Sequence, residues 1–128
     1  MTEHKKILII LDLFCLIFSS CDKESYDFRD EYVGQYQVVE TLQSYGFPEC
    51  GSPYYSVRDT IITVDYGTTD STLIVLGREV WLDSTGCYYA YHYGLCIWHD
   101  TIHSSYMNGG LGCGCYENYE GYRISDKP

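Results

Sequence analysis

Cys113 and Cys115 stand in the run Gly109-Gly110-Leu111-Gly112-Cys113-Gly114-Cys115, with His92, His99 and His103 a short way upstream. Thiolate and imidazole are preferred zinc ligands, so this grouping raises a metal site first. The spacing opposes it, because paired zinc cysteines usually enclose about two to four residues and here a single glycine lies between them. Asn108-Gly109 is also a strong type I′ turn signal, which would set Ser104 opposite Cys113 and Ile102 opposite Cys115. In that register His103 points to the other face of the hairpin. Gly110, Gly112 and Gly114 then read as residues of a bulge or sharp bend. The sequence gives no reason to expect a metal site or a cofactor.

Two further chemistries fail on context. The glycine run lacks the Lys-Ser/Thr ending and following helix of a phosphate loop. Ser104, His103 and Asp100 are neighbours along one segment, and a single strand cannot converge them into a catalytic triad. The remaining carboxylates read as solvated surface in a chain with 18 acidic against 8 basic residues. No catalytic residue is expected.

Aromatic side chains are the stronger signal. Tyr88, Tyr89, Tyr91, His92, Tyr93, Trp98 and His99 crowd one hairpin, with Trp81 two strands earlier. Both parities of that hairpin are aromatic, so one set can fill a core while the other stays outside. Tyr and Trp join large rigid contact area to a polar tip, as binding surfaces do. Trp81, Tyr89, Tyr91, Tyr93 and Trp98 are the candidate ligand-binding surface. Aromatic pairs that merely brace the sheet are the competing account.

The N-terminus says where such a surface would work. His4-Lys5-Lys6 precedes an apolar run from Ile7 to Phe18 broken by Asp12, too short to cross about 30 Å of hydrocarbon. A basic start, an apolar middle and the small Ser19-Ser20 fit a secretory signal peptide. Phe18-Ser19-Ser20-Cys21 resembles a bacterial lipobox, which implies cleavage before Cys21 and lipidation of its thiol and new amine. Several acyl chains, at about 0.8 kcal/mol per buried CH₂, would hold the chain to a membrane. Asp22-Lys23-Glu24 looks like the acidic signal by which Bacteroidota place lipoproteins on the cell surface; in enterobacteria an Asp directly behind the lipidated cysteine would instead imply retention at the inner membrane. The expected organisation is a signal peptide at 1–20, a lipidated cysteine with acidic linker at 21–31, and one domain at 32–128. The expected address is the bacterial cell envelope, lipid-anchored, at the outer membrane and facing outward.

Loss of residues 1–20 leaves 6 basic against 16 acidic residues, still a net charge of −10. No basic patch remains to neutralise phosphates, so nucleic acid is not an expected partner. Cys50, Cys87, Cys96, Cys113 and Cys115 remain after Cys15 leaves and Cys21 is lipidated. An exported domain often pairs such residues, and an odd number leaves at least one free. Cys113 with Cys115 is an awkward pair, because strand neighbours two apart are about 6–7 Å from each other. Cys50, in a loop containing Pro and Gly, is the favoured partner for a strand cysteine. Buried free thiols stay open as the other reading.

Strands must position all of this. The 15 Tyr all lie after residue 20, Val, Ile and Thr are prominent, and no long stretch carries apolar residues at helical spacing. Ile62, Val64 and Tyr66 alternate with Thr63 and Asp65, the period of a half-buried strand. Turn signals divide the chain into about eight strands, near 32–42, 57–66, 72–76, 79–83, 87–92, 95–99, 101–107 and 112–124. Gly77-Arg78 reads as a type II′ loop pairing Val75 with Val80, Leu73 with Leu82 and Ile74 with Trp81. Asp83-Ser84-Thr85-Gly86 and Tyr93-Gly94 read as further turns. The expected fold is all-β, an antiparallel meander closing into a small barrel, with a two-sheet sandwich as the alternative.

Tyr32-Val33-Gly34-Gln35-Tyr36-Gln37-Val38, behind a lipidated cysteine and acidic linker, resembles the first strand of small lipocalin-like lipoproteins of Bacteroidota. That resemblance implies a β-barrel-like fold and an envelope address, and says little about ligand. Together these readings give a lipid-anchored binding or interaction module whose partner is a glycan or a protein. The alternative is an extracellular inhibitor or barrel-type enzyme acting on an envelope partner.

Overall fold

Tyr36, Val38 and Glu40 turn inward from one strand while Gln35, Gln37 and Val39 turn out, and that period of two recurs around the whole molecule. The computed structural model describes residues 25–46, 52–110 and 112–128. After a short 3-10 helix, Phe28–Glu31, eight strands follow in order. They are β1 (Gly34–Gly46), β2 (Tyr55–Tyr66), β3 (Leu73–Val75), β4 (Arg78–Val80), β5 (Cys87–Ala90), β6 (Tyr93–Trp98), β7 (Thr101–Gly109) and β8 (Cys113–Ser125). Their spatial order is β4-β3-β2-β1-β8-β7-β6-β5, every pair antiparallel, so β1 meets β8 and the meander forms a nearly closed barrel. The expected barrel holds, and each of the eight expected strands overlaps an observed one.

The one seam lies between β4 and β5, which follow each other in the chain yet form the two edges of the sheet. Side chains bridge it. Trp81 meets Tyr88 edge-on with ring centroids 5.0 Å apart. Burying one face of β1–β4, β6 and β7 fills the middle of the barrel with Tyr36, Val38, Val64, Leu73, Val75, Val80, Leu95, Ile97 and Ile102. At about 1.5–3 kcal/mol for each fully buried apolar side chain, this core outweighs any single polar contact.

The barrel has two unlike ends. At one, the 3-10 helix and the turns after β2, β4 and β6 gather. Asp27 caps the helix by accepting from Arg29 N at 3.0 Å, and Arg29 Nη1 donates to Thr69 O at 2.6 Å. At the other, β1, β2, β7 and β8 run on past the short strands as a curved open rim.

Three turns differ from expectation. The β3–β4 loop is Leu76-Gly77, with φ of +51° and +73°, a type I′ turn. Leu73 therefore pairs with Val80, Ile74 with Glu79 and Val75 with Arg78. The shift is by an even number of residues, so the apolar face is kept. Tyr93-Gly94 is not a turn but the start of β6; the chain reverses at Tyr91-His92, where His92 has φ +69°. Asn108-Gly109 lies inside β7, with Asn108 opposite Cys115 and Gly109 opposite Gly114. The reversal comes later, where Gly110 N donates to Cys113 O at 2.9 Å and Gly112 takes φ +103°. Ser104 consequently faces Tyr119, and Ile102 faces Gly121. The expected Asp83–Gly86 turn is present, with Gly86 N donating to Asp83 O at 2.9 Å.

Candidate functional site

The outward positions of β6 are Gly94, Cys96 and Trp98. Cys96 is disulfide-bonded to Cys87, its direct cross-strand partner. Tyr89 lies across Gly94, and its hydroxyl is 3.3 Å from Cys96 Sγ. Trp98 continues the row two residues on, with the His99 ring 4.7 Å from its own. The Tyr91 ring lies tilted against that of His92 in the turn at the opposite end, centroids 3.9 Å apart. Trp81, Tyr89, Tyr91 and Trp98 are 62–90% exposed. Of these, Tyr89 and Trp98 share one disulfide-braced row, and Trp81 stands on the far lip of the seam. Tyr93 is placed otherwise: it is 6% exposed and belongs to the core, because inward and outward alternate along β6 and Leu95 and Ile97 hold the inward parity.

Trp98 also stands on the rim of a cavity of about 820 Å³ at the 3-10 helix end. Glu31, Thr85, His99, Asp100 and Arg123 contribute polar groups to it, and the Cys87–Cys96 bond forms part of the wall. Arg123 Nε and Nη2 both donate to Asp100 Oδ1, at 2.9 and 2.5 Å. Glu31 accepts from the Tyr26 hydroxyl. Thr85 Oγ1 and the Thr85 and Cys87 amides converge on Asp83 Oδ1, which lowers that carboxyl's pKa and fixes the loop beside the cavity.

A second polar group lies inside the open end, where sequence reading placed nothing. Glu40 is 5% exposed, accepts from Arg58 Nε, and accepts from the Tyr119 hydroxyl at 2.9 Å. The Arg58 hydrogen bond, against the opposing effect of burial, holds the Glu40 carboxyl below its usual pKa. Burial, helped by the Glu40 charge, pushes Tyr119 up to about 12. Nearby, the Arg78 guanidinium carbon sits 5.0 Å from the ring centroids of both Tyr93 and Tyr106. Burial raises the Tyr93 pKa while Ser104 and Arg78 pull the other way. Yet the Tyr93 and Ser104 hydroxyls are buried without a partner at hydrogen-bond geometry among the described residues.

The cysteine and histidine residues do not converge. His92 and His99 occupy turns at opposite ends of β6, and His103 Nδ1 lies 3.0 Å from Glu120 Oε1 on the outer face. His103 pairs with Cys96, whose sulfur is already committed to Cys87. Cys113 is disulfide-bonded and Cys115 is a free, half-buried thiol. Among the described residues no group of three or more His, Cys, Asp and Glu side chains is placed to hold a metal ion. Ser104 faces the core and His103 the outside, so these two turn to opposite faces. Cys21, the lipidation candidate, and Cys50 lie outside the described residues.

Glu40 continues the inward series Tyr36, Val38, so parity gives its side of the strand, while its partners Arg58 and Tyr119 come from the two neighbouring ladders. No family model matches the chain, and neither a curated protein nor a solved structure matches it.

Proposed function

We propose that the chain is a lipid-anchored binding module of the bacterial cell envelope, tethered through Cys21, whose ligand is a short glycan held at the Trp98 cavity. The observation that carries this reading is Trp98 itself, 69% exposed on the rim of a cavity whose lining also includes hydroxyls, carboxylates and an arginine. A sugar ring offers an apolar face to stack and hydroxyls to pair, and this wall supplies partners for both. A volume near 820 Å³ falls within the range of small-molecule sites, about 300–1,000 Å³. The disulfide under Tyr89 and Trp98 braces the hairpin, which reduces the ordering cost of binding. The meander with β1 against β8, opening on Gly34-Gln35-Tyr36, supports a lipocalin-like reading of the barrel.

A glycan array probed with residues 22–128 tests the ligand. Selective capture that Trp98→Ala abolishes and Trp81→Ala leaves intact is the expected result. Retention by no glycan, with capture of an envelope protein that still depends on Tyr89 and Trp98, would replace the glycan with a protein partner. The anchor is tested separately by metabolic labelling with a fatty-acid analogue, which should mark the wild type and not Cys21→Ser.

A further inference from the structure

We infer that Arg78 anchors an oxyanion-binding site at the open end of the barrel, separate from the Trp98 cavity. Four arginines lie among the described residues, and three have a carboxylate at ion-pair distance. Arg29 pairs with Asp27, Arg58 with Glu40 and Arg123 with Asp100. Arg78 has no such carboxylate among the described residues, although acidic residues outnumber basic ones by 18 to 8. It is held instead by the faces of Tyr93 and Tyr106, each 5.0 Å from its guanidinium carbon. A cation–π contact of this kind holds the guanidinium without using its N–H donors.

The groups around it point the same way. Arg78 shares the inward parity of Val80 on β4, Tyr93 that of Leu95 on β6, and Ser104 that of Tyr106 on β7. The Tyr93 and Ser104 hydroxyls, 6% and 1% exposed as residues, have no partner at hydrogen-bond geometry among the described residues. Buried hydroxyls are ordinarily satisfied; these two approach each other without reaching hydrogen-bond geometry, beside an exposed guanidinium that pairs with no carboxylate among the described residues, and a polar guest could complete the bonding of all three. Two carboxylates face this end. Glu40 is committed to Arg58 and Tyr119, and Glu117 is the cross-strand partner of Tyr106 on β8.

A planar fork of donors suits a carboxylate, sulfate or phosphate group, which can accept two parallel bonds from one guanidinium. The ligand class is therefore a molecule carrying one such oxyanion, whether on an acidic sugar or on a phosphorylated or sulfated compound.

The test follows the arginine Nε–Hε signals of the purified protein by NMR during titration, at constant ionic strength, with glucuronate, sulfate and phosphate in turn. The Arg78 signal should move saturably with at least one of them, with a Kd of order 1 mM for so small a probe, while Arg29, Arg58 and Arg123 stay in place. Whichever anion saturates first identifies the source of the oxyanion. Arg78→Lys keeps the charge and the ring contact but loses the fork, and should weaken binding about tenfold. Tyr93→Phe should weaken it several-fold with the barrel intact. Four arginine signals drifting together, or unchanged binding in Arg78→Lys, would overturn the assignment.

Discussion

Tyr119 and Glu40 are direct partners across the β1–β8 ladder, and the tyrosine hydroxyl donates to the carboxylate at 2.9 Å. With Arg58 at the other oxygen, a buried charge is paired and hydrogen-bonded rather than merely tolerated.

That arrangement makes stability depend on pH. The folded pKa of Glu40 lies below its ordinary 4.5, so the carboxylate stabilises the fold fully above that value. The contribution is lost as pH falls from about 4.5 through the lower folded pKa. Glu40→Gln should lower stability at pH 7 by about 1–3 kcal/mol. In thermal melts the gap between wild type and variant should narrow steadily below pH 4.5. A gap that stays constant down to pH 3 would show that the charge is not what holds the site.

The β7–β8 reversal separates two glycines by their backbone. Gly112, at φ +103°, occupies a region that L residues rarely enter, whereas Gly109 is in ordinary strand. Gly112→Ala should cost about 1–2 kcal/mol, or roughly 4–16 °C in Tm for a domain this size. An added Cβ at Gly109 meets the Tyr45 hydroxyl at 2.9 Å, the end of a movable side chain, and backbone Cys113 O and Gly114 Cα at 3.1 and 3.2 Å, which need give by only a few tenths of an ångström. Gly109→Ala should therefore be the milder change, and the reverse order would place the turn back at Asn108-Gly109.

Trp81 and Tyr88 should be energetically coupled, because theirs is an edge-to-face contact across the seam. A double-mutant cycle with Trp81→Ala and Tyr88→Ala should return about 0.5–1.5 kcal/mol of interaction. Amides of β4 and β5 should exchange faster in either single variant. Strict additivity would mean that backbone geometry alone holds the lips of the seam together.

The Cys87–Cys96 bond closes a short loop and should contribute about 2–3 kcal/mol in the chain-entropy account. Alkylation of the unfolded, unreduced protein, followed by peptide mapping, should mark Cys115 and leave Cys87, Cys96 and Cys113 unmarked. Cys87→Ser with Cys96→Ser should melt earlier and weaken whatever binds Tyr89 and Trp98. A marked Cys96 in the wild type would remove the brace from that row.

Much of the fold was legible because alternation survives in sequence: Ile62 and Val64 announce β2, and both are buried inward. Turns were harder. Asn108-Gly109 carries the strongest local preference for positive φ, but the β1–β8 ladder extends to Gly46 opposite Cys113 and keeps β7 and β8 paired beyond it. His92 and His99 take positive φ on a residue-type signal weaker than that of Asn-Gly, at turns set by the ladders on either side. Tyr93 was misassigned to the surface because composition marks the hairpin as aromatic but not which parity is inside. Glu40 was missed because a glutamate in a strand reads as solvated until its neighbours across two ladders are known. Arg78 gave no local signal at all, its two rings lying on β6 and β7.

The β1–β8 ladder joins the two most distant parts of the domain, Gln35 to Ser125 at one end and Gly46 to Cys113 at the other. Closing so large a loop is entropically unfavourable until many contacts form together, whereas the β3–β4, β5–β6 and β7–β8 hairpins are local. These should form first, leaving β1 and β8 as two long unpaired edges. Until they meet, the newly made chain offers both to any neighbouring strand. Crowded synthesis should therefore select against it more severely than the stability of the finished barrel would suggest, and a chaperone that shields those edges should raise its yield without altering its melting temperature.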